Sequence, residues 1–264
     1  ALTKYPCDSI AVDKRSGEIA RKKYGYFQTE SHQFEEIATH LQLPKDATPG
    51  RHSWRCHHLS FIVEASEAIC YLAMDLEDGY RLGIVPFSEA EQLYLNVVAP
   101  HLSLTRYRQI LTQEERIGYL RAIAINTLVT EVAHLFADSI DPILAGSWNT
   151  ALTENIPGSE SLGAIRSLSI EKIYSYRKVQ EIEAAGFEII SGLLDHFLSA
   201  LRNPHTKRSQ KTLHLVSPSY IFLMDDPQSA YESVMYILQF VAGMTDRFAV
   251  DTYRTLNGIS LPVY

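Results

Sequence analysis

The stretch SFIVEASEAICYLAMDLED, residues 60–78, decides how the chain is read. At about 100° per residue, Ile62, Ala65, Ile69, Leu72, Ala73 and Leu76 share one face of a helix. Glu64, Glu67, Tyr71, Asp75 and Asp78 share the opposite face, at spacings of three and four. Like charges so placed repel by about 0.2–0.5 kcal/mol per exposed pair. Cations or sugar hydroxyls would relieve that repulsion; a solvated polar face, with Tyr71 as a surface aromatic, is the plain alternative.

Outward from this helix, which the pattern extends from about His57 to Tyr80 until Gly83 and Pro86 stop it, further helical periods follow. Residues 31–42 place Phe34, Ile37, Ala38 and Leu41 at helical spacing. The first 30 residues and Pro44–Gly50 read as loop. Ser88 with Glu91 and Thr112 with Glu115 have capping-box spacing. They open a helix ending before Pro100 and a long one reaching about Phe136, with Ile117, Leu120, Ile123, Ala124, Thr127, Leu128 and Val132 inward. Asp141-Pro142 and Trp148–Gly158 read as connections. Two helices are expected between Ser169 and Leu201, a loop over Asn203–Gln210, and a helix capped at Asp226-Pro227 running towards Leu256, where Gly258 ends it. Few segments alternate with period two and nothing repeats. The expectation is an all-α fold built as a large multi-helix bundle.

Composition narrows the class. With 264 residues, 46% of them hydrophobic and 21% charged, the chain can bury a substantial core. No unbroken apolar run reaches the roughly 18 residues of a membrane span, so no membrane partner is expected. The net charge of -7 argues against a wholly nucleic-acid-binding surface. Three dispersed cysteines, Cys7, Cys56 and Cys70, fit a reducing, cytoplasmic setting rather than a disulfide framework or a zinc knot. Ala1 stands where a methionine would open a chain, as in a processed or shortened product or after simple loss of the initiator.

Four elements in order resemble the dGTPase-like family of HD-type deoxynucleoside triphosphate triphosphohydrolases. Leu2-Thr3-Lys4-Tyr5-Pro6-Cys7 is similar to the family's KYPC element. Residues 22–30, KKYGYFQTE, resemble its K-x-G-[YF]-F-x-[ST]-E segment. The stretch from Arg51 to Val85 resembles its LVEAADDICY…DLEDG region, and residues 243–249, GMTDRFA, resemble its GMTD-x-[YF]-A. The resemblance implies a C-terminal portion of that fold. Its parts would be residues 1–86, from the catalytic HD domain with the last metal-ligand helix over 57–80, and residues 87–264, a helical C-terminal domain.

The resemblance further implies hydrolysis of a dNTP to a deoxynucleoside and tripolyphosphate with a divalent metal, Mg²⁺ or Mn²⁺. The metal is held in the family by a His, a His-Asp pair and a distant Asp. The last of these aligns with Glu67, one methylene longer than Asp and followed by Ala68 where the family has a second Asp. The His and His-Asp elements lie upstream of KYPC, and this sequence contains no His-Asp dipeptide. It is therefore expected to be inactive alone. Tyr71 matches the tyrosine that packs on the deoxyribose, and Asp75 the carboxylate that accepts from the 3′-hydroxyl. Lys4 and Tyr5 match a phosphate-side and sugar-side pair, and Lys23 a second phosphate lysine. A homo-oligomer is implied as well.

Other features have simpler readings. His57-His58 makes a poor chelate because adjacent side chains diverge by about 100°. His134 with Asp138, and Asp195-His196, read as structural polar pairs. The basic cluster Arg202, His205, Lys207, Arg208 and Lys211 could take a regulatory nucleotide or single-stranded DNA, or be a solvated loop. No nucleophile elbow, Walker A motif or dinucleotide fingerprint occurs. A non-catalytic module for oligomerisation or regulation, keeping a relic nucleotide pocket, is the alternative to the enzyme.

Overall fold

The computed structural model describes residues 3–46, 52–99, 101–217 and 229–260. The expected features at Gly50, Arg51, Pro100 and Asp226-Pro227 lie outside them. Among the described residues there are eleven α-helices and no β-strand, only isolated bridges pairing Cys7 with Ser53 and Lys45 with Trp54. The class is all-α, as the periodicity implies. Contacts group the chain into two compact units, Ala1–Tyr176 and Arg177–Tyr264. The division into 1–86 and 87–264 concerns family parts rather than contacts and remains a proposal.

In the first unit, α1 (Ser31–His40), α2 (His58–Arg81), α3 (Phe87–Val98), α4 (Leu104–Arg108), α5 (Gln113–Asp138), α6 (Ile140–Leu144) and α7 (Ser159–Leu168) follow one another. Helices α2, α3 and α5 form the centre, packing Ile69, Leu72, Leu76, Tyr94, Val98, Leu120 and Leu128 into one core. Tyr94 is fully buried because its hydroxyl donates to the Ala73 carbonyl at 2.5 Å. Burying a polar tip without such a partner would cost about 1–3 kcal/mol.

Helix α2 stops as expected: Gly83 has φ +71°, a conformation glycine adopts without strain. Gly79, the last residue of the DLEDG segment, is needed for closeness instead. A Cβ there would lie 2.8 Å from Ile173 Cδ1 and 3.0 Å from Val85 Cγ2. Glu77 is 3% exposed, buried between Arg81 at 2.6 Å and Arg121 at 2.8 Å.

The Thr112 cap forms, its hydroxyl accepting from Glu115 N at 3.2 Å. The Ser88–Glu91 box does not. Helix α3 starts two residues earlier, with Pro86 as N-cap in place of Ser88, and Glu91 instead takes a hydrogen bond from the Tyr107 hydroxyl. Ile37 and Leu41 are 53% and 44% exposed, so α1 buries only Phe34 and Ala38. These two meet Tyr26 and Trp54 in a small separate core, with Tyr26 stacked on Phe34 at 4.2 Å.

The connections hold more structure than their composition suggests. Asp141-Pro142 lies inside α6, with proline in the first turn where no amide bond is lost. Helix α7 precedes Ser169, and a π-helical turn over Ser169–Ile173 follows it.

The second unit contains α8 (Arg177–Arg202), α9 (Lys207–Leu213), α10 (Ala230–Ala242) and α11 (Asp246–Leu256). One 26-residue helix therefore replaces the two expected before Leu201. The expected loop over Asn203–Gln210 turns helical at Lys207, because Thr206 caps α9 by accepting from Ser209 N at 3.1 Å. The expected final helix is two. Gly243 is the C-cap of α10, and the Thr245 hydroxyl accepts from Phe248 N at 3.3 Å to start α11. The GMTD segment is thus a helix break. Leu193, Phe197, Val216, Ile237 and Phe240 form this unit's core.

Averaged over 18 residues, Gln113–Asp138 and Arg177–Arg202 are long and apolar enough to cross a bilayer, although polar residues interrupt the apolar run in both. Helix α5 directs its apolar face into the core, and both helices carry charged residues in their first turns.

Candidate functional site

The N-terminal segment is fixed against the entry to α2. Trp54 N donates to the Pro6 carbonyl at 2.9 Å, and the Cys56 thiol to the Lys4 carbonyl at 3.3 Å. The segment around Gly25 closes over the same residues. Gly25 N donates to the Cys7 carbonyl at 3.0 Å, and the Cys7 thiol to the Lys23 carbonyl at 3.1 Å. A Cβ on Gly25 would lie 2.0 Å from the Tyr5 carbonyl oxygen. Glycine is required here by proximity, and it holds the two motif segments, and hence Lys4, Tyr5 and Lys23, in one place.

Lys4 reaches α2 and forms an ion pair with Glu64, its ammonium 5.3 Å from the Tyr5 ring centroid. Partial burial pulls the Lys4 pKa down, but the hydrogen bond and charge of Glu64 outweigh it, and the net shift is upward. Tyr5, Lys23 and Glu64 line a cavity of about 420 Å³. Lys14, Glu18 and Lys22 line it too, and Asn149, Thr150, Ala151 and Glu154 form its far wall.

Glu67, Tyr71 and Asp75 continue along the polar face of α2, beyond the residues that line this cavity. Glu67 is exposed, and Tyr71 is 61% exposed. Asp75 is half-buried, and its Oδ2 accepts from the Tyr174 hydroxyl at 2.5 Å. Burial first, then the Asp75 carboxylate, pushes the Tyr174 pKa up to about 12. Two clusters result: Lys4, Tyr5 and Lys23 converge with Glu64, and Glu67, Tyr71 and Asp75 form a row on the same helix.

Among the described residues no group of three His, Cys, Asp or Glu side chains is placed to hold a metal ion. Glu67 is a single carboxylate and does not make a site, so the residues present do not fit a divalent metal by themselves. His57 is committed elsewhere: its Nδ1 accepts from Leu59 N at 3.1 Å, capping α2, and its ring stacks on His58 at 4.1 Å. His196 lies 3.4 Å from Asn257 Oδ1. Of the basic cluster over 202–211, Arg208 lines a second cavity of about 460 Å³ with Asp195, His196, Asn203 and Thr212. Lys207 and Lys211 are exposed.

Three contributors escape sequence reasoning. Tyr174 meets Asp75 across 99 residues of chain. Glu64 lies on the acidic stripe, but nothing in its spacing indicates Lys4 as its partner. Asn149 stands in a segment read as a plain connection, yet its amide ties down the lysine-bearing loop. Its Oδ1 accepts from Ile19 N at 2.8 Å, and its Nδ2 donates to the Gly17 carbonyl at 2.8 Å.

Known proteins resemble this chain over nearly its whole length. Residues 158–255 match the phosphohydrolase-associated domain. The chain is 34% identical over 268 residues to a deoxyguanosinetriphosphate triphosphohydrolase-like protein of Synechocystis, covering 98% of this chain and 58% of the relative. A protein of the same name from Listeria monocytogenes is 30% identical over 285 residues, covering 98% and 59%. The deoxyguanosinetriphosphate triphosphohydrolase of Salmonella enteritidis is 27% identical over 282 residues, covering 90% and 54%. The chain spans less than two thirds of the length of these relatives.

Proposed function

Because this chain is a homologue of the dGTPase-like proteins over 98% of its length, and so a member of their family, we propose that it supplies the substrate-holding part of a dNTP triphosphohydrolase. The observation that carries the reading is the meeting of Tyr5 and Lys23, from separate segments, at one cavity with Glu64, the ion-pair partner of Lys4, on the helix that bears Glu67, Tyr71 and Asp75. Lys4 and Lys23 would hold phosphate oxygens. The Tyr71 ring would pack on the deoxyribose and leave no room for a 2′-hydroxyl. Asp75 would accept from the 3′-hydroxyl through Oδ1, which has no partner among the described residues, while Tyr174 fixes the carboxylate through Oδ2.

Enzymes of this HD-type family are generally metal-dependent. The described residues gather no holder for the metal, and no step through it is derived from them. The proposal for these 264 residues alone is therefore nucleotide binding without hydrolysis. The test is release of tripolyphosphate from each of the four dNTPs, with Mg²⁺ or Mn²⁺, against a Glu67→Ala control. Folded protein that binds dNTP without turnover agrees with the proposal. Turnover abolished by Glu67→Ala would show a working metal site in this chain and overturn it.

A second reading, assembly through the helices, is favoured by α8. Ile182, Phe187 and Ile190 on its N-terminal half are 73%, 76% and 54% exposed, more apolar surface than a solvated helix needs. A homo-oligomer would cover it. Sedimentation of wild type and Phe187→Glu separates the readings: a monomer in both argues against assembly through this face.

A further inference from the structure

Two thiols tie together the segments beside α2, and each does so at a candidate ligand lysine. The Cys56 thiol, at the entry to α2, donates to the Lys4 carbonyl at 3.3 Å. The Cys7 thiol, three residues after Lys4 in the chain, donates to the Lys23 carbonyl at 3.1 Å. No other donor reaches either carbonyl among the described residues. Two thiol bonds in series therefore join the entry of α2 to the Lys4 segment and the Lys4 segment to the Lys23 segment. Both fall on the main chain of the lysines themselves.

Cysteine suits these places. Cys7 is fully buried, and Cys56 packs against the core that α2 shares with α3 and α5. A thiol is apolar enough for such surroundings and still carries one weak donor. Serine would keep a donor and lose apolar contact; valine would keep the contact and lose the donor. Burial first, then the Asp8 charge, pushes the Cys7 thiol up to about 11. Burial first, then the Glu64 charge, pushes the Cys56 thiol up to about 12. Both keep their proton at neutral pH, and with it the hydrogen bond.

We propose that Cys7 and Cys56 are positioning residues, whose thiols hold the backbone of Lys23 and of Lys4 and so set where the two ammonium groups stand. The proposal rests on the reading of these lysines as substrate ligands and adds the groups that keep them in place. Lys4 shows the consequence. With its carbonyl held, its side chain meets Glu64, and although burial pulls its pKa down, the net shift is upward. Released from the thiol, Lys4 would lose that pairing and give up its proton more readily.

The test sets Cys7→Val against Cys7→Ser, and Cys56→Val against Cys56→Ser, in the whole chain, with folding checked by circular dichroism. Cysteines that serve packing alone would be replaced best by valine; cysteines that position the lysines would be replaced best by serine. In calorimetric titration with each of the four dNTPs, each valine variant is expected to bind about threefold more weakly than wild type, the scale of one modest hydrogen bond. Each serine variant is expected to recover most of that loss. Competitive acetylation of Lys4 without nucleotide, read by mass spectrometry, is expected to run about twofold or more faster in Cys56→Val and near the wild-type rate in Cys56→Ser. Equal Lys4 acetylation in wild type and Cys56→Val overturns the proposal, as does a serine variant that binds dNTPs no better than its valine counterpart. If Lys4 acetylation follows the expected order while wild type binds no dNTP, the substrate reading fails and the hold of the thiol on Lys4 stands.

Discussion

Replacing Gly25 by alanine adds one methyl group at the point where the two motif segments touch. The new Cβ would stand 2.0 Å from the Tyr5 carbonyl oxygen and 2.6 Å from Thr3 Cγ2. An ordinary carbon–oxygen contact is about 3.3 Å, so the segments must part by roughly 1.3 Å. The obstacle is backbone and cannot rotate aside. Overpacking of this kind costs about 1–3 kcal/mol. The separation also strains the Gly25–Cys7 and Cys7–Lys23 hydrogen bonds, each worth about 0.5–1.5 kcal/mol. The expected loss is about 2–4 kcal/mol. Both tryptophans, Trp54 and Trp148, belong to the first compact unit, so urea unfolding followed by tryptophan fluorescence reads that unit. Gly118→Ala, in the interior of α5 with nothing within 4 Å of the added Cβ, is the control. It should stabilise by about 0.5–1 kcal/mol, because alanine is the better helix former. The reasoning is refuted if Gly25→Ala unfolds within about 0.5 kcal/mol of wild type, the scale of an ordinary surface substitution.

Three further outcomes follow from the same packing. His57→Ala should remove the cap on α2 and cost about 0.5–2 kcal/mol in thermal or urea unfolding at pH 7.5. Burial first, then the His58 charge, lowers the His57 pKa. Its contribution should therefore be full above its unfolded value of about 6.5 and disappear as pH falls through the lower folded value, which unfolding midpoints between pH 8 and 5 will show. Iodoacetamide at pH 8 followed by mass spectrometry should label exposed Cys70 in the native protein. It should spare Cys7 and Cys56, whose thiols burial pushes up to about 11 and about 12. Arg121→Met should strand the buried Glu77 carboxylate, with only the exposed Arg81 to answer it, and cost about 1–3 kcal/mol; Glu77→Leu/Arg121→Met should recover part of that loss.

The helices were legible where one periodicity ran long enough. The apolar face of α2 and the inward residues of α5 stand where the spacing puts them, since a buried stripe leaves a direct imprint on sequence. Boundaries set by local competition were less so. Ser88 and Glu91 have the spacing of a capping box, but Pro86 starts α3 and Glu91 turns to Tyr107. The break between α10 and α11 depends on Gly243 and Thr245, which an apolar period running through both helices obscures. At the site, the motifs single out Lys4, Lys23 and the row Glu67, Tyr71 and Asp75 on α2 as candidates. They could not reveal what each side chain touches. Tyr174 on Asp75, Glu64 on Lys4 and Asn149 on the loop are tertiary contacts, and tertiary contacts have no period.

The central claim is that α2 presents a deoxyribose-sized surface next to a phosphate-holding cavity. Equilibrium binding of each dNTP beside its ribonucleotide counterpart, to wild type, Tyr71→Ala and Lys23→Gln, tests it most directly. The account predicts tighter binding of the deoxy form by wild type, loss of that preference in Tyr71→Ala, and weaker binding of both forms with the preference kept in Lys23→Gln. Equal affinity for deoxy and ribo forms in wild type, or a preference that survives Tyr71→Ala, would contradict it.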